Sequence, residues 1–149
     1  MISLATSDLR ATRDELSTAK AGTLGAVSLG TPHASIDELK YFAHLFETEH
    51  VAQGIACYIS AARDVLSSAG AAKDGLERAG VTIVVDTCTY FGPILEGCSG
   101  LAMTNSAKWA YYAPGNLGMQ VVFASMEECV RSAVAGEIWR DERLWSDDR

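Results

Sequence analysis

Three short polar clusters contain the residues whose types and spacing could support chemistry. They are Gly-Thr-Pro-His-Ala-Ser at residues 30–35, Asp-Thr-Cys-Thr-Tyr at 86–90 and Thr-Asn-Ser-Ala-Lys at 104–108. The first contributes an imidazole, the second a thiol, and the third an amide, a hydroxyl and an ammonium group. Such groups bind small anions and metal ions in proteins. The clusters therefore predict a site for a small anionic molecule, and they are compatible with a metal.

The four cysteines indicate thiols or metal ligands rather than disulfides. No two of them have the CxxC spacing of zinc ribbons and thioredoxin-like motifs. Cys88 directly follows a buried run, near predicted helix N-termini whose dipoles favour the thiolate that metals bind. Cys129 lies early in a predicted helix, and its position suits core burial as well as ligation. Most of the four are expected to be small buried hydrophobic residues.

The third cluster opens a predicted helix and has two interpretations. Asn105, Ser106 and Lys108, with the free N–H groups of the first turn, could hold a carboxylate or a phosphate. In the structural interpretation Ser106 only caps the helix and Lys108 is solvated. His33 is equally open, because it could be an ordinary loop histidine or a donor to an anionic ligand.

Short β-rich runs alternate with stretches of helical periodicity along the chain. Five strands are predicted, at residues 26–29, 54–59, 81–85, 101–103 and 120–124. Ser35 with Glu38, and Ser125 with Glu128, form capping boxes that start two helices. This alternation predicts an α/β fold, a three-layer domain with a mainly parallel sheet of about five strands flanked by helices.

Local signals predict where several elements begin and end. Residues 30–32, Gly-Thr-Pro, should end the first strand, and Pro-Gly-Asn at 114–116 should form a turn. Ser7-Asp8 should cap a short N-terminal helix. The charged tail at 140–149 should be held to the body by apolar residues, namely Trp139, Leu144 and Trp145.

All three polar clusters follow predicted strands. Ligands of open α/β sheets bind beyond the carboxyl ends of the strands, where successive loops come together. We therefore expect the imidazole, the thiol and the ammonium group to share one edge of the sheet.

Composition narrows the function classes. The 149 residues predict one domain, and the net charge of -7 argues against a nucleic-acid partner because such a field repels phosphates. Apolar runs are too short for a membrane span, and the first residues show no secretion signal, so we expect a cytoplasmic protein. Walker, GxGxxG, HExxH and GxSxG motifs are absent from the sequence.

The polar clusters resemble the aconitase X family. The similarity is carried by residues 30–38, 84–88 and 104–114, with 128–136 as a further match, and it extends from about residue 9 to residue 144. The resemblance implies a hydro-lyase with an iron–sulfur cluster. The residues around Cys88 and Lys108 are more similar to the family members that dehydrate hydroxyproline. Dehydration of cis-3-hydroxy-L-proline to a pyrroline carboxylate is therefore the expected reaction.

The resemblance also implies roles for individual residues. Cys88 and Cys129 would be cluster thiolates. Catalytic roles would belong to Ser106, as base or oxygen ligand, to Lys108 and to His33. Substrate binding would involve Thr104, Asn105, Ser35 and Thr87.

Family enzymes are much longer than this chain, which resembles the C-terminal part of their large catalytic region. We expect one domain over residues 1–149, with an N-terminal helix and connector at 1–24. The remaining domains or subunits would supply further cluster ligands and part of the substrate pocket. Three alternatives stay open: a subunit of the mevalonate 5-phosphate dehydratase type, a non-catalytic anion-binding or scaffold domain, and a hydrolase with Cys88 as nucleophile.

Overall fold

The computed structural model of the chain describes residues 3–95 and 97–145 and has one five-stranded sheet. All neighbouring strands are parallel, in the order β3-β2-β1-β4-β5, which confirms the predicted α/β fold. The elements are α1 (Thr6–Leu16), β1 (Leu24–Ala34), α2 (Ile36–Leu45), β2 (Ala56–Ala61), α3 (Arg63–Ser67), α4 (Ala71–Arg78), β3 (Thr82–Val85), β4 (Leu101–Thr104), α5 (Ala107–Leu117), β5 (Val121–Phe123) and α6 (Met126–Ala135), with 3-10 turns at Gly92–Leu95 and Glu142–Trp145.

The sheet separates two hydrophobic cores. Helices α2, α3, α4 and α6 cover one face, and α1 and α5 cover the other. Side chains alternate along the central strand, so Val27 and Leu29 enter the first core while Ala26 enters the second. Leu39 and Phe42 of α2 are fully buried against the first face. Helices on both faces are what a buried parallel sheet requires.

The two predicted capping boxes are present and start α2 and α6. The Ser35 hydroxyl accepts the Glu38 N–H at 3.2 Å, and the Glu38 carboxylate accepts the Ser35 N–H at 2.8 Å. Ser125 and Glu128 repeat the arrangement at α6. These reciprocal bonds satisfy N–H groups that a helix start otherwise leaves unpaired.

Three local predictions were wrong. β1 does not end at residues 30–32; its register shifts there, and pairing resumes where Ala34 lies opposite Ala61. Residues 114–116 are helical, because α5 continues past Pro114 to Leu117 and ends at Gly118 with a left-handed φ of 65°. Residues 7–8 do not cap α1 from outside. The helix starts after Ala5, whose N–H is accepted by the Asp8 carboxylate within the first turn.

The outer edge of β5 is hydrogen-bonded by residues from outside the sheet. The Val121 N–H donates to Thr18 Oγ1 at 2.8 Å, and the Phe123 N–H donates to Ser17 Oγ at 3.0 Å. Arg140 Nη2 donates to the Phe123 carbonyl at 3.2 Å. The connector after α1 and the tail after α6 thus satisfy backbone groups that would otherwise be exposed at an edge.

The described part of the tail packs on α6, as predicted. The Trp139 N–H donates to Ser132 Oγ at 2.9 Å, and the Trp145 indole N–H lies 3.3 Å from the fully buried Glu128 carboxylate. Leu144 is partly buried, and residues 146–149 of the predicted tail lie outside the described residues. Within the described ranges no helix has the length and apolar character to cross a bilayer.

Candidate functional site at the carboxyl edge of the sheet

The loops after β1 and β4 meet at the point where the strand order reverses. β1 is the central strand, and the chain builds β2 and β3 on one side of it and β4 and β5 on the other. The connections that leave the carboxyl ends of β1 and β4 therefore run to opposite faces of the sheet, and such a switch point is where open α/β sheets bind ligands. The first and third polar clusters lie at this switch point.

Two predicted site residues connect these loops through their side chains. Asn105 Oδ1 accepts the backbone N–H of Gly30 at 3.1 Å. Ser106 Oγ donates to the Thr31 carbonyl at 2.9 Å and accepts the Trp109 N–H at 3.2 Å as the N-cap of α5. The Ser106 hydroxyl is buried and fully engaged. Its location thus agrees with the structural interpretation and also places it at the switch point.

Cys88 reaches the same segment from the other side. Its Sγ lies 3.7 Å from the Pro32 carbonyl oxygen, and its side chain is half-buried. The adjacent Thr89 is fully buried, with Oγ1 2.6 Å from Ser28 Oγ and 2.7 Å from the Trp109 indole nitrogen that donates to it. This network attaches the Cys88 loop to β1 and α5. Asn105, Ser106 and Cys88 therefore contact three consecutive residues at the end of β1.

Gly30 lets β1 bend tightly against Ala34 and the neighbouring Ser60. Its φ is +72°, and a Cβ atom there would lie 2.8 Å from the Ala34 Cβ and 3.0 Å from the Ser60 carbonyl oxygen. Both values are below ordinary contact distances, and a left-handed φ disfavours other residues. The glycine lets β1 bend where the three clusters converge.

Three further predicted site residues are exposed at this edge. His33, Thr87 and Lys108 all lie on the surface. His33 is near enough to Asp86 to contribute to the lowered pKa of that carboxyl, after larger effects from Arg63. The imidazole and ammonium groups are both exposed, and for Lys108 this agrees with the structural interpretation of a solvated side chain.

Thr104 and Ser35 already have structural partners. Thr104 is fully buried, and its hydroxyl accepts the Ser106 N–H at 3.1 Å. Ser35 caps α2 through its exchange with Glu38. Each hydroxyl is thus engaged in a hydrogen bond that shapes its loop, and binding substrate would require it to exchange or share that bond.

Asp86 connects two segments at this edge of the sheet. It has a left-handed φ of 57°, and its carboxylate accepts the Arg63 backbone N–H and the Arg63 Nε–H, each at 2.9 Å. These bonds, led by the one from the backbone, lower the pKa of Asp86. Asp86 thereby joins the start of α3 to the loop that carries Cys88.

Thr89 and Trp109 are important for this site, and the sequence analysis did not single them out. The available signal was a threonine directly after a predicted ligand, with a tryptophan in the first turn of the next helix. Neither spacing reveals that the two side chains meet, because their contact depends on the packing of α5 on the sheet.

The structure does not bring Cys129 to the site. Cys129 and Cys57 belong to the core on one face of the sheet, whereas Cys88 packs against the core on the other. Burial raises the pKa of the Cys129 thiol well above its ordinary value, and nearby Glu128 adds to the rise. A neutral, enclosed thiol is a poor metal ligand, so this location gives no support to its predicted ligation.

The donor set of the described residues does not fit a complete iron–sulfur cluster. Within residues 3–95 and 97–145, no three His, Cys, Asp or Glu side chains gather as a metal-binding group. Cys88, half-buried beside Pro32 at the end of β1, fits a single thiolate ligand. Further ligands would have to come from outside these residues.

Comparison with known proteins agrees with the geometry. The family model for the aconitase X third domain matches residues 24–135. The chain belongs to the aconitase X family. Its similarity to a solved structure, Thermococcus kodakaraensis aconitase X in the holo-form, has a TM-score of 0.73 at 29% identity, and covers 89% of this chain and 34% of that one.

Named relatives fall into two groups. The chain is 37% identical over 126 residues to the cis-3-hydroxy-L-proline dehydratase of Pseudomonas aeruginosa, covering 82% of this chain and 22% of the relative. It is 30% identical over 128 residues to the phosphomevalonate dehydratase large subunit of Methanosarcina mazei, covering 86% of this chain and 31% of the relative. The chain thus spans between about a fifth and a third of the proteins it matches.

Proposed function

We propose that this chain is the third-domain part of a cytoplasmic iron–sulfur hydro-lyase that dehydrates cis-3-hydroxy-L-proline to a pyrroline carboxylate. The observation that carries the proposal is the convergence of Cys88, Asn105 and Ser106 on the end of β1. The 37% identity to the Pseudomonas dehydratase supports the choice of substrate. The domain would comprise residues 1–149, with a connector at 1–24 and a charged tail at 140–149.

The exposed cation and the start of α5 suit the substrate carboxylate. Lys108 is exposed in the first turn of α5, next to N–H groups whose dipoles favour an anion. Asn105 offers its amide N–H₂ beside the Oδ1 that holds Gly30. Binding there would orient the carboxylate and stabilise the charge that develops when the α-proton leaves.

Ser106 would act as the base, and His33 would contact the substrate or a neighbouring residue. Dehydration requires a base for the Cα proton and an acid for the departing hydroxyl. As the base, Ser106 would first give up to solvent the hydroxyl proton that it now donates to the Thr31 carbonyl. The resulting alkoxide, stabilised by Lys108 two residues along the chain, would take the Cα proton and become a hydroxyl again. Exposed His33 would bind substrate or orient a neighbour, as would Thr87, Ser35 and Thr104 at the same edge.

Cys88 would be the thiolate that this chain contributes to the cluster. A bound cluster supplies a Lewis-acidic iron for the substrate hydroxyl. Cys129 was the second ligand suggested by the family resemblance, and it would have to leave the core to reach Cys88. The remaining ligands and part of the pocket would come from other domains or subunits.

Phosphomevalonate dehydration is the second candidate. The large subunit from Methanosarcina mazei is 30% identical over 86% of this chain. The start of α5 with Lys108 would also suit a phosphate. The two candidates differ in substrate and share the proposed use of this edge.

The test uses the complete Pseudomonas dehydratase with its matched 126-residue segment replaced by this chain. We expect this chimera to dehydrate cis-3-hydroxy-L-proline. Mevalonate 5-phosphate, the substrate of the second candidate function, is assayed separately. Cys88→Ala should abolish turnover and remove iron and visible absorption. Cys98→Ala is the matched control, because Cys98 is also half-buried against the same core. Full absorption and turnover in Cys88→Ala would refute the ligand assignment.

A further inference from the structure

Four aromatic side chains form a continuous surface beside the candidate site. Tyr90 lies beneath, 4% exposed, with its ring centroid 4.7 Å from that of Phe91 and 6.0 Å from that of Tyr112. Tyr111 contacts Tyr112 edge-on at 5.0 Å. Phe91, Tyr111 and Tyr112 are 59%, 69% and 47% exposed. We call these three exposed rings, with Tyr90 under them, the aromatic surface.

The aromatic surface is continuous with the predicted catalytic edge. The Phe91 N–H donates to the Cys88 carbonyl at 3.0 Å, so the surface begins three residues from the proposed ligand. Tyr111 and Tyr112 follow Lys108 by three and four residues on α5, about one helical turn. Whatever covers these rings must therefore also approach the thiol and the ammonium group.

Exposed rings in mutual contact indicate a binding surface. Single exposed apolar residues are ordinary, but contiguous apolar patches mark interaction sites, and aromatic residues are enriched among the residues that contribute most to binding. The other large exposed hydrophobic side chains of the described residues are Leu4, Leu9, Tyr41 and Val85. Tyr41 lies on α2, on the opposite face of the sheet, and provides an internal control.

We propose that the aromatic surface is where this domain docks against the remaining catalytic domains of an aconitase X enzyme. The inference rests on the proposed function. The relatives have room for such an occupant, because the chain covers only 22% of the Pseudomonas dehydratase and 34% of the Thermococcus structure. The position of the surface also favours it, because Cys88, whose further cluster ligands would come from outside the described residues, lies next to Phe91. Docking there would bring further ligands and pocket residues to Cys88 and Lys108.

Hydroxyl-radical footprinting with mass spectrometry tests the proposal on the isolated chain and on the chimera. In the isolated chain, labelling of Phe91, Tyr111 and Tyr112 should be strong. In the chimera, their labelling should fall roughly tenfold, as expected for rings that become the core of an interface. Labelling of Tyr41 should be the same in both proteins. Sedimentation should show the isolated chain to be monomeric.

A matched pair of substitutions gives a second readout. Tyr111→Ser and Tyr41→Ser each replace an exposed tyrosine. The Tyr41 hydroxyl donates to the Glu127 carboxylate at 2.6 Å, so Tyr41→Ser should lower the melting temperature of the isolated chain and of the chimera by the same amount. Tyr111→Ser should leave the isolated chain nearly unchanged and lower the melting temperature of the chimera by about 3 °C or more. A Tyr111→Ser effect of equal size in the two proteins would overturn the proposal.

The remaining outcomes are also decisive. Unchanged labelling of Tyr111 in a chimera that turns over substrate would overturn the docking surface and leave the proposed function intact. Protected rings in a chimera without turnover would support the docking surface and overturn the proposed function. A dimer of the isolated chain with protected rings would assign the surface to a second copy. If the chimera fails to accumulate while the native dehydratase does, this surface does not fit those domains, and the proposal is rejected.

Discussion

Replacing Thr89 by valine should destabilise the protein through two neighbours that it leaves unpaired. Thr89 Oγ1 is hydrogen-bonded to Ser28 Oγ at 2.6 Å and to the Trp109 indole N–H at 2.7 Å, and all three residues are fully buried. Valine preserves the shape of threonine but cannot bond to either group. The cost comes from the stranded hydroxyl and indole N–H rather than from a cavity.

The expected magnitude follows from those two groups. Each buried polar group left without a partner costs about 1–3 kcal/mol, so Thr89→Val should lose roughly 2–6 kcal/mol in the free energy of unfolding. At about 2–4 °C per kcal/mol for a chain of this length, the melting temperature should fall by about 4–24 °C. Against a typical total stability of about 5–15 kcal/mol, the loss is large.

Urea unfolding followed by tryptophan fluorescence, together with thermal melting, would measure the effect. Thr87→Val is the matched control, because Thr87 lies two residues earlier in the same loop and is exposed; it should stay within about 0.5 kcal/mol of the parent. Ser28→Ala should cost less in the Thr89→Val background than in the parent, because it removes one stranded hydroxyl. Equal stability of Thr89→Val and Thr87→Val would refute the reasoning.

Three other perturbations have defined outcomes. Gly25→Ala should prevent folding or lower the melting temperature strongly, because its Cβ would lie 1.7 Å from the Ser99 carbonyl oxygen. Gly115→Ala is the control, since no atom lies within 4 Å of its Cβ and the residue is helical; circular dichroism melts showing equal effects would contradict this. Burial raises the pKa of Cys57 from 9.0 to about 12, so its contribution to stability is complete below pH 9 and declines above it, by up to about 1.4 kcal/mol per pH unit. Unfolding between pH 8 and 11 should show a shallower decline in Cys57→Ala, and identical slopes would argue against it. Asp86 has a pKa lowered from 3.8, so its stabilising effect is present above about pH 4 and is lost as the pH falls through the lowered value. Asp86→Asn should therefore be less stable than the parent at pH 6, and the difference should narrow as the pH falls below about 4; a difference that grows at low pH would contradict the lowered pKa.

Local signals predicted much of the fold. The capping boxes at Ser35 and Ser125 and the alternation of strands with helices depend on residues close in sequence, so they could be identified without tertiary information. The parallel sheet followed from that alternation. The edge at which the three clusters meet followed from the rule that parallel strands share their carboxyl ends.

The errors arose where long-range packing overrode local preference. Pro114 and the two residues after it have strong turn propensities, yet buried Ala113 and partly buried Leu117 keep this stretch on the core as helix. Likewise, the bend at Gly30 does not end β1, because Ala34 finds a partner in Ala61 on the neighbouring strand. Neither partner is visible in the local sequence.

For the site, the sequence predicted which loops converge but not what each side chain contacts. Cys129 is kept from the Cys88 loop because α6 packs on the opposite face of the sheet, where the helix buries it beside Val130 and Ala133. The engagement of the Ser106 hydroxyl with the Thr31 carbonyl depends on the register shift in β1. Such details are set by packing, and a pattern of residue types does not encode them.

The hydrogen bonds along the outside of β5 have a practical consequence for anyone who shortens this protein. The residues that provide them, Ser17, Thr18 and Arg140, all lie beyond the 24–135 limits of the family domain. A fragment limited to residues 24–135 would keep every strand but leave backbone groups of the edge strand β5 unpaired, and strand addition between molecules would then cause aggregation. The flanking segments therefore prevent further strands from pairing with β5.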